Sequence, residues 1–368
     1  MKLRDFQLER YYARHEFTTP LQLSASDCEA LTVGELLEIA EVEAGELLGL
    51  ALGYTETRGA PALREAIARR YPGCTADDVL VCNAPEEAIF LSMHALLAPG
   101  DRVVVMTPCY QSLKEIARGI GCAVVEWPLL ATATGWRADL ERLEHLARDG
   151  AALLVTNAPH NPTGFQPTAT EHEHLCAIAR ERFRNWFSDE MYRGLEPEPG
   201  LALAPAASTE VHALSLWGTS KSFGLPGLRI GWLVARDRAR LARIEALKDY
   251  TSICSNAPGE LLARVALEAA GSILARNRER IAANAGRMDA FVRRCEGRFV
   301  WRRPLAGPVG LVELRDGSAR EHAERVRVDG GVLLVPSTLF DLEDRYLRVG
   351  LGRASFPAAL ERWESVLR

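Results

Sequence analysis

Six stretches of this 368-residue chain hold residue types that can do chemistry. The first runs Trp217-Gly218-Thr219-Ser220-Lys221-Ser222-Phe223-Gly224 and on to Arg229. Small neighbours let a ligand approach the lysine closely. An amine desolvated near other cations sheds its proton and becomes a nucleophile that forms a Schiff base with an aldehyde. Arg229, eight residues on, could clamp a phosphate through two parallel hydrogen bonds. The plain alternative for Lys221 is a solvated surface lysine. In the second stretch, Ser188 to Tyr192, Asp189 could face a protonated ring nitrogen, or simply cap a helix. Tyr192 reaches the same ligand if the chain turns.

The third stretch, Asn157 to Gly164, packs two X-Pro bonds and a glycine into a rigid turn. Asn161 there could present its amide to a ligand or merely serve the turn. His160 beside it is set below the turn reading as an acid–base group. In Thr107-Pro108-Cys109-Tyr110 the aromatic could stack on a planar cofactor or pack on the sheet edge. Asn83-Ala84-Pro85-Glu86 opens a helix, whose free N–H groups suit a phosphate. Arg348, in Tyr346-Leu347-Arg348-Val349, would suit a substrate carboxylate or stand on a surface strand.

These residues need elements to hold them. Apolar runs at Val79–Cys82, Val103–Met106, Ala123–Trp127, Ala152–Thr156, Trp186–Asp189, Val211–Leu216 and Ile230–Val234 read as strands. Helical patterns lie between many of them, at Ala62–Arg70, Glu86–Leu97, Ser112–Gly119 and Ala169–Phe183. That alternation predicts an α/β fold with a mostly parallel seven-stranded sheet between helices. Ligands bind such sheets at the carboxyl ends of the strands, where most of the candidates fall. Helices at Ala239–Asp249 and Pro258–Arg294 follow, then strands at Gly310–Glu313, Val332–Val335 and Tyr346–Val349. These predict a smaller α+β domain formed by both chain ends. The expected division is an N-terminal segment at 1–45, a large cofactor-binding domain at 46–280 and a small domain at 281–368.

Composition narrows the function. Hydrophobic residues make up 48% and charged residues 25%, which excludes wholesale disorder. The net charge of −5 gives no basic face for nucleic acid. No apolar run of about 18 residues occurs, so no membrane span is expected. The charged start is no secretory signal, so a cytoplasmic protein is expected. None of the eight cysteines forms a Cys-x-x-Cys pair, and no metal site is expected.

With these residues assembled, the sequence resembles the pyridoxal-phosphate-dependent class I/II aminotransferases of fold type I. Ser220-Lys221-Ser222-Phe223, then Gly227-Leu228-Arg229-Ile230-Gly231, matches the family's lysine loop. Asn161-Pro162-Thr163-Gly164 matches in full, Asp189-x-x-Tyr192 falls in family order, and Tyr54-x-x-x-x-Gly59 with Leu63-Arg64 matches an early motif. The resemblance covers roughly residues 50–368. It implies that Lys221 holds pyridoxal 5′-phosphate as a Schiff base and moves the proton. Asp189 would pair with the pyridine nitrogen, so that the ring acts as an electron sink. Tyr192 and Asn161 would bond the ring oxygen, and Tyr110 would stack on the ring. Arg229, Ser220 and the loop of Ala84, Pro85 and Glu86 would hold the phosphate. Arg348 would bind the substrate carboxylate. Tyr54 would reach the partner subunit's cofactor, which implies a homodimer with shared sites acting on an amino acid and a keto acid.

Two departures stand out. The phosphate loop usually reads glycine, a small residue, then serine, threonine, glutamine or lysine. Here it reads Ala84-Pro85-Glu86, where proline lacks an N–H and glutamate repels phosphate if it points inward. The serine often found three before the lysine is Gly218. Within the family, Ser24 to Glu29, Thr32 to Glu35 and the lysine loop look most like capreomycidine synthase-like members, which cyclise a hydroxylated arginine. The alternative expectation is therefore elimination, replacement or cyclisation on a basic amino acid, recognised by Asp27, Glu29 or Glu35. Those carboxylates read equally as solvated charge.

Overall fold

The computed structural model describes residues 2–295 and 297–368. Seven runs rich in Val, Leu and Ala build the large sheet. They are β1 (Val79–Asn83), β2 (Arg102–Thr107), β3 (Ala123–Pro128), β4 (Ala151–Asn157), β5 (Phe183–Asp189), β6 (Ala213–Gly218) and β7 (Ile230–Val234). Their order across the sheet is β1-β7-β6-β5-β4-β2-β3. All neighbours pair parallel except β7, which is antiparallel to β1 and to β6. Every residue of β4, β6 and β7 is buried, as strands covered on both faces require. Trp186 in β5 and Trp232 in β7 are fully buried. Each such side chain contributes roughly 1.5–3 kcal/mol of burial, so the sheet is a stiff platform for what its edge carries.

One end of this sheet gathers the candidates. β1 ends at Asn83, β2 at Thr107, β4 at Asn157, β5 at Asp189 and β6 at Gly218. The reversed β7 begins at that same edge, with Ile230 opposite Asn83 and Gly231 opposite Gly218. Its reversal brings Arg229 to the edge where the other strands finish.

The small sheet holds β8 (Phe299–Trp301), β9 (Val309–Leu314), β10 (Val335–Pro336) and β11 (Tyr346–Gly350), in the antiparallel order β8-β9-β11-β10. The chain's start joins this half, since Leu21–Gln22 pairs in parallel with Val332–Leu333. The expected strand at Val332–Val335 is thus two, one serving the N-terminal segment and one the sheet. The helix Gln7–His15 lies over the same region, with Leu8 packed beside Val335 and Phe340.

The structure corrects three expected boundaries. Pro258–Arg294 is two helices, Ala257–Glu268 and Ala270–Arg294, because the backbone departs from helix at Ala269 (ψ 11°). β6 begins at Ala213, since Val211 is exposed. β5 begins at Phe183, where the preceding helix ends with no loop between. The expected motifs keep their places because none straddles these joints.

Candidate active site

Lys221 sits just past the end of β6. The Ser222 hydroxyl donates to the carbonyls of Met191 (2.9 Å) and Arg193 (2.8 Å), which pins the loop to the segment after β5. Gly224 has φ +68°, and a Cβ there would lie 2.4 Å from the Glu29 carbonyl oxygen. Only glycine allows that approach, and it brings residues 26–29 against the lysine. The Lys221 amine donates to the Ser26 hydroxyl at 2.9 Å. Burial pushes its pKa down; Asp27 and Glu9 oppose the shift while Arg348 and Arg353 add to it. The other buried lysines are held differently. Lys114 pairs with Glu126 (3.1 Å) and Asp341 (2.9 Å), and Lys248 donates to the Thr57 carbonyl. Lys221 is thus a partly desolvated amine with a hydroxyl for a partner, as a nucleophile needs.

Asp189 closes β5, in register with Asn157 and Leu216. Its carboxylate accepts one backbone N–H, from Met191 at 3.1 Å. Burial pushes its pKa up to about 7; Glu190 adds to the rise, and the Met191 N–H and Lys221 oppose it. No salt bridge to it exists among the described residues. A buried carboxyl in that condition favours a cation brought by a ligand.

Arg348, on β11, is fully buried. Its guanidinium donates to Asn161 Oδ1 (3.1 Å), the Tyr12 hydroxyl (2.5 Å) and the Ser24 carbonyl (2.8 Å), and lies 5.3 Å from the Phe340 ring centre. Its Nε has no partner, and all three acceptors are neutral. Asn161 is itself fixed by its N–H to Asn157 Oδ1, at 2.7 Å. A buried guanidinium without a carboxylate suits an incoming anion. Tyr192 is buried and its hydroxyl also lacks a partner. Tyr110 donates to Glu9 (2.8 Å), with its ring centre 4.9 Å from that of Phe6.

The remaining expected residues spread wider. Ser220 is buried beside the lysine. Arg229 is exposed at the rim, donating to the Pro226 carbonyl at 3.1 Å. Ala84, Pro85 and Glu86 open the helix after β1, and Glu86 accepts from the Ser112 hydroxyl at 3.1 Å. Tyr54 is 93% exposed and belongs to no site of its own chain. The three N-terminal carboxylates differ in kind. Glu35 closes a capping box with Thr32, Glu29 accepts the Ala354 N–H, and both are held away from the lysine by those bonds. Asp27 does face the site, in a 2.8 Å pair with Arg353. His160 bonds Thr163 at 2.8 Å and is pushed by burial to about 3, so it stays neutral and structural.

Tyr12, Ser24, Ser26 and Glu9 are site residues that sequence reasoning missed. Tyr12 lies 336 positions from Arg348 in sequence, no motif marks Tyr12 or Glu9, and Ser24 and Ser26 stood only within the stretch Ser24 to Glu29, with no role assigned to them. Only their place in the N-terminal segment, expected to join the small domain, hinted at them.

The unpaired groups can be tested against a cofactor. A desolvated amine, a buried carboxyl and an orphaned tyrosine hydroxyl are gathered here, with Asp189 within electrostatic reach of both Lys221 and Tyr192. They fit a phosphorylated pyridine aldehyde, whose carbonyl carbon, ring nitrogen and ring oxygen would meet them in turn. No group of three or more His, Cys, Asp or Glu side chains placed to hold a metal ion occurs among the described residues. Nor is any described helix long and apolar enough to cross a membrane.

Comparison with known proteins agrees with this geometry. The aminotransferase class I and II family model matches residues 19–362. Capreomycidine synthase of Streptomyces vinaceus is 29% identical, over 95% of this chain and 88% of its own. A probable aspartate/prephenate aminotransferase of Thermus aquaticus is 30% identical, over 95% and 94%. Among solved structures, a PLP-dependent aminotransferase from Streptococcus suis superposes with a TM-score of 0.93 at 28% identity, over 100% of this chain and 98% of that one. The PLP-dependent cyclase OrfR superposes with a TM-score of 0.92, at the same identity and coverage.

Proposed function

This chain belongs to the aminotransferase class I and II family and is a pyridoxal-phosphate enzyme of fold type I; from that premise we propose that it moves an amino group from an amino acid to a 2-keto acid. The observation that carries this reading is Asp189, a buried carboxyl at about 7 with no salt bridge among the described residues, at the end of the strand beside the one that leads into the desolvated Lys221. Bound there, the cofactor supplies an aldehyde for the lysine and a protonated ring that withdraws electrons from the substrate α-carbon. The chain's own residues do the rest. Asp189 keeps the ring nitrogen protonated, while Tyr192 and Asn161 hold the ring oxygen. Arg348 takes the substrate carboxylate, which supplies the anion its neutral partners lack. The freed Lys221 amine then removes the α-proton and delivers it to the cofactor C4′. Burial lowers its pKa, which favours the neutral amine that this step needs. Tyr110 covers the ring, and Ser220 with Arg229 holds the phosphate.

A homodimer with shared sites completes the reading. Leu48, Leu52, Tyr54, Tyr250 and Ile253 are all exposed, and Thr55 bonds the Ser255 carbonyl between their two segments. An apolar patch of that kind beside the Asn83 loop suits a second copy, whose Tyr54 would reach across. All eight cysteines are free thiols, which favours the cytoplasm.

A second reading has its own observation. Glu9, Glu16 and Asp27 lie within electrostatic reach of Lys221, and carboxylates there suit a cationic substrate side chain, as in elimination, replacement or cyclisation of a basic amino acid. Product analysis separates the two. The holoenzyme incubated with a β-hydroxylated arginine and with ordinary amino acids, without acceptor, yields a keto acid and the pyridoxamine form if it transaminates. A dehydrated or cyclised product with cofactor unchanged would reject transamination in favour of the second reading.

A further inference from the structure

The two departures in the phosphate loop are one structural event. Pro85 packs against the glycines of the neighbouring strands: a Cβ at Gly218 would lie 3.1 Å from its Cγ, and one at Gly231 would lie 2.7 Å from its nitrogen. A serine at 218 and a proline at 85 therefore compete for one space. The cradle loses the hydroxyl and the N–H together. The Ala84 N–H, on a residue with φ +73°, is already donated to the Arg229 carbonyl at 2.9 Å. Three donors that could have met an anion are thus missing or engaged, beside a helix start that still faces the site.

Glu86 stands in that gap. Its neighbour Glu87 is turned away, accepting the Asn83 N–H and the Thr251 hydroxyl, each at 2.6 Å. Glu86 instead accepts from Ser112 at 3.1 Å on one oxygen, and its other oxygen has no bond to the protein. The charged groups around it come from three further elements: Glu9 on the N-terminal helix, Asp189 at the end of β5 and Arg229 before β7, with the Tyr110 hydroxyl near as well. It lies within electrostatic reach of both Asp189 and Arg229. Burial pushes its pKa up to about 7; Glu9 and Asp189 add to that, while Ser112 and Arg229 oppose it.

Resting on the cofactor reading above, we propose that the Glu86 carboxyl, in its neutral form, donates a hydrogen bond to the cofactor's phosphate in place of the donors that Pro85 and Gly218 lack. The ionised carboxylate repels that phosphate, so cofactor retention is tied to one proton. The sign follows from linkage. A bound phosphate dianion raises the Glu86 pKa further, so binding takes up a proton wherever the free carboxyl is ionised. Affinity therefore falls as pH rises above about 7.

The test uses cofactor-free full-length protein and two probes that form no Schiff base with Lys221: pyridoxamine 5′-phosphate and pyridoxamine. Dissociation constants are measured by equilibrium dialysis from pH 6.5 to 9 (roughly the span over which one proton is linked), for the natural protein, Glu86→Gln and Glu86→Ser. The natural protein loses up to about tenfold in pyridoxamine phosphate affinity per pH unit above neutrality. Glu86→Gln and Glu86→Ser keep a donor without a titration, so both bind with that slope removed. Pyridoxamine, lacking the phosphate, shows no difference among the three. Equal slopes in all three proteins, or a Glu86 effect that persists with pyridoxamine, would overturn the proposal. If pyridoxamine phosphate bound none of them at any pH, the cofactor reading would fall and this inference with it.

Discussion

Arg348→Met separates function from stability at a single residue. The guanidinium is fully buried, its partners are an amide oxygen, a hydroxyl and a carbonyl, and its Nε is unpaired. A charge buried that way opposes folding, and a methionine of similar length removes the opposition. The loss on the other side is small, because the Tyr12 hydroxyl still donates to the Ser24 carbonyl at 2.9 Å and, of the three acceptors, Asn161 Oδ1 alone is left unpaired. That costs about 1–3 kcal/mol at most. The net change in stability is expected within about 2 kcal/mol, a shift of a few degrees in Tm. Function should respond quite differently. Truncating one partner of a buried charge pair costs about 2–5 kcal/mol. The second-order rate with amino acids should therefore fall about 30- to 5,000-fold, while cofactor binding is kept. The assays are a thermal melt and the stopped-flow half-reaction with amino acid alone. A rate within about threefold of the natural protein would refute the substrate role. A fall of ten degrees or more in Tm would show that the guanidinium is there for the fold.

Three further outcomes are expected. Gly218→Ser drives a side chain against Pro85 and the Ile230 carbonyl and costs about 1–3 kcal/mol in urea unfolding, of which Pro85→Ala recovers part; additive effects in the double mutant would deny their coupling. Mixing Tyr54→Ala subunits with Lys221→Ala subunits regenerates activity that neither homodimer has, because the hybrid holds one site free of both changes; a mixture no better than its parents would show that Tyr54 does not cross to a partner. In the cofactor-free protein Asp189 has its folded pKa raised from 3.8 to about 7, so the native state binds the extra proton between those values and stability falls as pH rises through that window. Asp189→Asn should remove that decline, about 2.5 kcal/mol between urea midpoints at pH 5 and 7.5; unchanged pH dependence would reject the assignment.

The parts of the fold that could be read in advance were those with local causes. Seven apolar runs divided by helical patterns announced the large sheet, and the candidates fell at strand ends because loops there are what a parallel sheet offers to a ligand. The reversal of β7 was not legible, since an all-buried strand reads the same in either direction. Nor was the split of residues 257–294 at Ala269, where only Gly271 weakens the helical pattern. Within the site, Lys221, Asp189 and Asn161 lie in dense local motifs. Tyr12, Ser24, Ser26 and Glu9 are brought in by packing across the whole chain, so no local pattern could give them away. Glu29 and Glu35 were plausible substrate contacts by charge alone, but the backbone N–H groups of Ala354 and Thr32 claim them. Asp27, of the same apparent kind, faces the site because its pair with Arg353 holds it there.

The central claim is that Lys221 carries the cofactor. The chain's lysines are Lys2, Lys114, Lys221 and Lys248, so the claim can be read on a peptide map. The holoenzyme is reduced with borohydride, which fixes a lysine-bound pyridoxal permanently, then digested and examined by mass spectrometry. The pyridoxyl mass should appear on the peptide containing Lys221, with the visible absorbance lost, and Lys221→Ala should carry none. Label on Lys114 or Lys248 instead, or no label on a protein that retains its cofactor, would contradict the account.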